Sequence, residues 1–155
     1  MIAQVIGSIR RISTQLRPAV LDDIGLVEAM RWQTEEFEKR FSIPITAIFS
    51  DIPDNLQQDI AVALFRIYQE TLTNIARHAA ARHVRVQLTS DDRYISLEVQ
   101  DDGRGFDEEI IGATRTLGLL GMKERANMIG GEVEISSQPG KGTSIKIVIP
   151  RDKNK

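Results

Sequence analysis

The spacing of apolar residues changes along this chain of 155 residues. Near the N-terminus they recur at intervals of three and four, which is typical of a helix packing along another helix. These residues are Ile2, Val5, Ile9, Ile12 and Leu16. Pro18 and the acidic and glycine residues after it predict a break, because proline disfavours helical backbone in the preceding residue. We therefore expect part of a long helix at 1–17 and a hinge at 18–26.

Helical and strand-like patterns then alternate. The sequence predicts a second helix from about Val27 to Arg40 and a strand within 43–49. The longest helix follows, with Asp54 or Asn55 as its N-cap, and is expected to run to about residue 79. Its apolar face consists of Ile60, Leu64, Ile67, Leu72 and Ile75.

The C-terminal half contains two predicted hairpins. Val84, Val86 and Leu88 alternate with polar residues, and a second alternating strand ends at about residue 99, after the turn residues at 91–92. A helix is predicted at 118–129, where two glycines end it. Strands at 133–136 and 144–149 form the second hairpin.

This order predicts an α/β fold, a two-layer sandwich. Its mixed, mostly antiparallel sheet is covered on one face by helices. The expected division is a helical appendage at 1–17, the hinge at 18–26, the main domain at 27–150 and a tail at 151–155.

Composition excludes several classes of protein. The chain has no cysteine and two histidines, which rules out disulfides and makes a zinc cluster implausible. A formal net charge of -2 gives no basic field for nucleic acid. No apolar run approaches the ~20 residues of a membrane span, and no signal-peptide pattern begins the chain. These features favour a cytoplasmic location.

Two polar residues on the long helix are candidate ligands. Glu70 and Asn74 are four positions apart, so their side chains lie on one face of the helix. Asparagine offers the hard oxygen that Mg²⁺ accepts beside waters and phosphates, and a neighbouring carboxylate can orient or deprotonate a nucleophile. They could equally be the polar side of an amphipathic helix.

The turn at 101–106 combines a carboxylate with glycines. Asp101 follows a strand, where it can accept a hydrogen bond from an exocyclic amine such as that of adenine. Gly103 and Gly105 allow backbone to approach a ligand closely. An ordinary structural turn uses the same residue types.

Two further glycine pairs have alternative roles. Gly118 and Gly121, if they start a helix, expose N–H groups to phosphate. Gly121 could instead be a packing residue, and Gly140 and Gly142 could serve only their hairpin.

Together these segments resemble the catalytic ATP-binding domain of sensor histidine kinases, whose fold is also called the GHKL or Bergerat fold. Residues 70–78, 101–106, 118–125 and 140–143 are similar to its N, G1, G2 and G3 boxes. Residues 16–26 resemble the segment after the dimerisation helices in nitrate-sensor-like kinases. Thr116 departs from that subfamily, which commonly has glycine there.

The resemblance implies roles for particular residues. Glu70 would activate the acceptor histidine, Asn74 would bind Mg²⁺, and Asp101 would contact adenine. The remaining nucleotide-binding residues that it implies are Arg77, His78, Gly103, Gly105, Phe106, Gly118, Leu119, Gly121, Met122 and Thr143. Among these, Arg77 and His78 would lie near phosphate, and Thr143 would support Asp101 directly or through water.

The implied reaction is transfer of the γ-phosphoryl group of Mg-ATP to a histidine. Neither His78 nor His83 has the sequence context of the acceptor, so the chain is expected to be a fragment that binds ATP without labelling itself. The implied partners are a response regulator with a LuxR-type DNA-binding domain and a second copy in the intact kinase. A membrane would be reached only through missing N-terminal regions.

Two other functions stay open at this point. One is a serine kinase of the anti-sigma-factor type with the same nucleotide fold. The other is a degenerate module that senses nucleotide or dimerises without transferring phosphate.

Overall fold

The computed structural model describes residues 19–50, 52–53, 55–107 and 113–151. The apolar stripe predicted at 2–16 lies outside this part of the chain, as do Pro18 and the last four residues. In chain order the elements are α1 (Ala19–Phe41), β1 (Ile45–Phe49), α2 (Gln58–Asn74), a π-helical turn (Ile75–Ala79), β2 (Val84–Ser90), β3 (Tyr94–Asp101), α3 (Ala113–Asn127), β4 (Glu132–Ser137) and β5 (Thr143–Pro150).

The five strands form one mixed sheet in the order β1-β2-β3-β5-β4. β1 pairs with β2 in parallel, and the other three pairs are antiparallel. Both predicted hairpins are present, and β5 lies between β3 and β4. Asp101 consequently faces Val84 on one neighbouring strand and Thr143 on the other.

Helices cover one face of the sheet. Val84, Val86 and Leu88 are fully buried, whereas Arg85 and Gln87 between them are exposed. All five apolar residues predicted for the long helix are buried against this face, four of them in α2 and Ile75 in the π-helical turn. Each such side chain stabilises the fold by roughly 1.5–3 kcal/mol. The predicted two-layer sandwich is confirmed.

Helix α1 differs from the sequence prediction at its start. Helical residues stand on both sides of Gly25, the one position inside α1 with non-helical backbone (φ 79°, ψ 173°). Among the described residues, the break predicted at 18–26 is therefore confined to Gly25. Glycine suits this position because other residue types rarely adopt its backbone conformation. The helix predicted from Val27 to Arg40 is present beyond it. The domain boundaries themselves stay predictions.

A buried hydrogen bond joins α1 to α2. The oxygens of Thr34 and Tyr68 are 2.6 Å apart, and Thr34 also donates to the carbonyl oxygen of Met30 at 2.7 Å. Burial raises the pKa of Tyr68 to about 12, because it disfavours the charged phenolate. The helix that carries Glu70 and Asn74 is thereby fixed to its neighbour.

The start of α2 corrects another prediction. The N-cap is Gln57, without a side-chain cap hydrogen bond, rather than Asn55; Asp54 lies outside the described residues. Asp59 supplies a negative charge in the first turn, where its carboxylate accepts from the backbone N–H of Ile60 at 2.9 Å. Charge at the positive end of the helix dipole thus takes the place of a cap.

None of the described helices combines the length and the apolar character needed to cross a bilayer.

Candidate functional site

The C-terminal end of α2 holds the first candidate ligand. Asn74 is the last α-helical residue, and the chain widens into the π-helical turn immediately after it. Such turns occur frequently at functional sites. Within the described part of the chain, Nδ2 of Asn74 is the one buried side-chain nitrogen or oxygen without a hydrogen-bond partner. A buried amide in this state costs free energy unless a ligand satisfies it.

Asp101 lies at the end of β3, opposite Asn74. One oxygen of its carboxylate accepts the backbone N–H of Gly103 at 2.8 Å, which forms a tight turn around the side chain. Asn74, Asp101, Phe106, Leu119 and Thr143 all line one narrow cleft. Its cavity volume is about 20 Å³, close to what a single water molecule needs. The structure thus brings these five predicted residues together in one narrow cleft.

Ser137 is a residue of this site that the sequence analysis missed. Its hydroxyl accepts the backbone N–H of Phe106 at 2.9 Å and lies 2.8 Å from Oγ1 of Thr143. Thr143 therefore contacts Ser137, and its predicted support of Asp101 stays a prediction. Ser137 continues the period-two pattern of Val133 and Ile135, so a polar residue on an inward-facing position was the available signal.

Glu70 faces a second, adjoining groove. That groove has a volume of about 230 Å³, and its lining includes Gly118, Gly121 and Met122 of α3. Met122 is buried, with its sulfur 3.9 Å from Oγ1 of Thr71. Helix α3 therefore packs across α2 and separates the two predicted halves of the site.

The position of α3 corrects the predicted helix start at Gly118, while the nucleotide-binding roles of Gly118 and Gly121 stay predictions. The helix begins at Ala113, so Gly118 and Gly121 lie in its interior rather than at its start. Interior N–H groups bond to carbonyl groups four residues earlier, and only the first four of a helix are free to bind phosphate. The side chain of Thr116 and residues 108–112 lie outside the described part of the chain.

Arg77 and His78 are not among the residues that line the cleft. Arg77 is exposed and lines a groove between α1 and α2 together with Trp32. The carbonyl oxygen of His78 accepts a hydrogen bond from Nε of Arg104 at 2.6 Å. The structure does not bring either residue together with Asn74 and Asp101, and their roles near phosphate stay predictions.

Three glycines of the site are required by the packing of the chain on itself. A Cβ atom at Gly103 would lie 2.2 Å from the carbonyl oxygen of Ala79. At Gly105 it would lie 2.0 Å from that of Gln138, and at Gly142 it would lie 2.1 Å from that of Asp101. The turn at 101–106 and the β4–β5 turn therefore interlock, which the sequence analysis had not anticipated.

Asp102 stabilises the same region electrostatically. One of its oxygens accepts the N–H groups of His83 and Arg82, at 2.9 and 2.8 Å. These two hydrogen bonds hold the pKa of Asp102 below its usual range. Its charge thus ties the turn to the start of β2.

The donor set fits a weakly held divalent cation. No three described His, Cys, Asp or Glu residues are grouped to hold a metal. Mg²⁺, however, usually takes one or two protein oxygens and completes its shell with water and substrate phosphates. Rotation of the Asn74 amide by half a turn would exchange its nitrogen for an oxygen ligand at the unpartnered position.

Solved structures share this fold. The blue-light activated histidine kinase of Erythrobacter litoralis superimposes with a TM-score of 0.74 at 21% identity, over 96% of this chain and 49% of that one. The class defined by fold and site is thus an α/β sandwich with a cleft between a helix and a glycine-rich turn.

Sequence comparison specifies the family. Residues 59–153 match the family described as histidine kinase-, DNA gyrase B- and HSP90-like ATPases, and the chain belongs to it. This membership confirms the prediction, made from the motifs, that the chain is an ATP-binding catalytic domain of the sensor histidine kinase kind.

Curated relatives agree with this membership. The signal transduction histidine-protein kinase/phosphatase DegS of Brevibacillus brevis is 35% identical over 97% of this chain. The oxygen sensor histidine kinase NreB of Staphylococcus carnosus is 33% identical, again over 97%. The chain spans 39% and 43% of the length of these two relatives.

Proposed function

We propose that this chain binds Mg-ATP in the cleft between Asn74 and Asp101 and forms the catalytic part of a two-component sensor histidine kinase. The observation that carries the proposal is the buried amide nitrogen of Asn74, which has no hydrogen-bond partner among the described residues and lies in the same cleft as the Asp101 carboxylate. The histidine kinase relatives support it, and they favour it over a serine kinase of the anti-sigma-factor type.

Adenine would bind on the Asp101 side. The carboxylate would accept a hydrogen bond from the exocyclic amine, in addition to the one that it accepts from Gly103. Phe106 and Leu119 would supply apolar contacts to the ring. Because the cleft now has room for about one water, these walls must separate before a base enters.

Phosphates would extend from the cleft past Asn74 toward the adjoining groove of Glu70, which would require α3 to shift because it packs between the two. Mg²⁺ held by Asn74 would neutralise developing charge on the phosphates. Glu70 would accept the proton of the acceptor imidazole as its nitrogen bonds to the γ-phosphorus and the bond to the β-phosphate oxygen breaks, which releases ADP. The acceptor histidine would belong to a dimerisation helix outside this chain.

Further partners belong to this proposal. A response regulator would receive the phosphoryl group in the phosphorelay, and one with a LuxR-type DNA-binding domain fits the nitrate-sensor-like resemblance. The intact kinase would act as a homodimer. A cytoplasmic location follows from the need for ATP.

Calorimetric titration tests the proposal. Mg-ATP is titrated into the wild-type chain and into Asp101→Asn, which keeps the size of the side chain but replaces one acceptor oxygen with a donor amide. We expect micromolar-range binding that weakens at least about tenfold in the variant, because a hydrogen bond to a charged group is lost. Equal binding in both proteins would refute the adenine assignment.

A second experiment tests whether Asn74 binds Mg²⁺. Titrations with and without Mg²⁺ are repeated on Asn74→Ala. Wild-type affinity should depend on Mg²⁺, whereas the affinity of the variant should not. A variant that keeps the full Mg²⁺ dependence would remove Asn74 from the metal site.

A further inference from the structure

Arg104 joins three separate segments next to the candidate site. Its Nε donates to the carbonyl oxygen of His78 at 2.6 Å, and its backbone N–H donates to that of Ala79 at 2.7 Å. Its own carbonyl oxygen accepts the N–H of Gly140 at 2.6 Å. One residue therefore connects the end of the π-helical turn, the turn at 101–106 and the β4–β5 turn.

The carbonyl groups at the C-terminal end of a helix need hydrogen-bond donors such as those of Arg104. The last carbonyl groups of a helix have no partners within it, and a cation near them is favourable because they form the negative end of the dipole. Ala80 ends this helix in the left-handed conformation, with φ 50°. Arg104 supplies two donors and a positive charge at that point.

Arg104 connects the two segments that carry Asn74 and Asp101, the principal residues of the candidate site. Asn74 immediately precedes the π-helical turn whose last carbonyls Arg104 binds, and Asp101 begins the turn that contains Arg104. We propose that Arg104 is a positioning residue, which holds the Asp101 turn against the end of α2 and thereby sets the affinity for nucleotide. This inference rests on the proposed function.

Arg104 would act on affinity by raising the fraction of molecules in which the turn and the helix end are correctly arranged. Without the guanidinium, the backbone hydrogen bond to Ala79 would be the only link that residue 104 keeps to the helix end among the described residues, so the turn and the helix end would spend part of their time apart. Affinity would then fall in proportion to the fraction that stays correctly arranged. Because Arg104 does not act on phosphate in this scheme, its loss should weaken ATP, ADP and adenosine by the same factor. A direct phosphate contact would weaken ATP and ADP but leave adenosine unchanged.

The test compares Arg104→Ala with Arg104→Lys and with the matched control Arg85→Ala. Arg85 is an exposed arginine on the opposite face of the sheet. Calorimetry measures ATP and ADP, and chemical-shift titration measures adenosine. We expect about a tenfold loss for all three ligands in Arg104→Ala, partial recovery in Arg104→Lys, whose ammonium keeps a charged donor, and no change in Arg85→Ala.

The outcomes separate the two proposals. Wild-type affinity in Arg104→Ala, or a loss confined to ATP and ADP, would overturn the positioning role and leave the proposed function intact. Absence of binding in the wild type would overturn both. If Arg104→Ala does not fold, Arg104→Lys decides alone: an equal loss for all three ligands supports the role, and unchanged affinity overturns it.

Discussion

Both walls of the cleft contain glycines, but in different structural settings. One, the turn wall, consists of residues 101–106 and 138–143; the other, the helix wall, is α3, which contributes Leu119 to the cleft and Gly118 and Gly121 to the adjoining groove. In the turn wall, Gly105 and Gly142 have positive φ and leave no space for a side chain. In the helix wall, a Cβ at Gly118 would meet only Glu70 at 3.5 Å, and one at Gly121 would meet no described atom within 4 Å.

The difference separates glycines required by this structure from glycines that it merely tolerates. Backbone packing requires Gly103, Gly105 and Gly142 of the turn wall, where a Cβ atom would collide with a carbonyl group. Each interior glycine of α3 weakens the helix by about 1 kcal/mol relative to alanine, with no gain in the packing seen here. The helix wall therefore tolerates a side chain at Gly121, whereas the turn wall tolerates none at Gly105 or Gly142.

The largest expected effect concerns the turn wall. Gly142→Ala should lower the free energy of unfolding by about 4 kcal/mol, because it adds both backbone strain and a collision with the carbonyl oxygen of Asp101. Urea unfolding measures the loss.

Gly140→Ala is its matched control, because Gly140 has a similar φ of 78° but no described atom within 4 Å of the added Cβ. Strain alone should cost it about 1 kcal/mol. Equal losses in the two variants would show that the turns do not interlock, and the distinction between the walls would then fail.

An intermediate effect is expected at Tyr68, which lies on the helix that supports both walls. Tyr68→Phe should cost about 1–2 kcal/mol below pH 10, through the lost hydrogen bond to Thr34. The folded pKa of Tyr68, about 12, exceeds the usual value of 10, so folded protein holds this proton more tightly than unfolded protein. The wild-type advantage is therefore fully present below pH 10 and should be lost as the pH rises from 10 through 12.

Unfolding of both proteins across this pH range measures that difference. Tyr94→Phe provides the control, since the chain has two tyrosines and Tyr94 is 45% exposed. A constant difference between wild type and Tyr68→Phe from pH 9 to 12 would contradict the buried environment of Tyr68. Hydrogen exchange should show both walls loosened alike in Tyr68→Phe.

The smallest expected effect is an increase in stability. Gly121→Ala should stabilise the protein by about 0.5–1 kcal/mol, because alanine favours helix and no described atom obstructs its methyl group. For a chain of this size the midpoint of thermal unfolding should rise by about 2–4 °C per kcal/mol. A lower midpoint would show that the helix wall is as tightly fitted as the turn wall.

Local patterns predicted much of the architecture. Alternation at Val84, Val86 and Leu88 and the apolar face of α2 both reported burial correctly, because side-chain period depends only on local backbone geometry. Element ends were less accurate: α3 starts at Ala113 rather than 118, and α2 starts at Gln58 without a polar cap. Glycines can mark a helix start or sit inside one, and local sequence does not distinguish these cases.

By itself the sequence determined the class of fold, the order of the hairpins and the family, since these depend on periodicity and on motifs that are contiguous in the chain. Only the tertiary structure decided how the motifs meet. It placed Asn74 and Asp101 on one cleft, assigned Glu70 to an adjoining groove, and revealed the contacts of Ser137 and Arg104. These contacts join residues far apart in the chain, and their geometry depends on how β5 inserts between β3 and β4 and how α3 crosses α2.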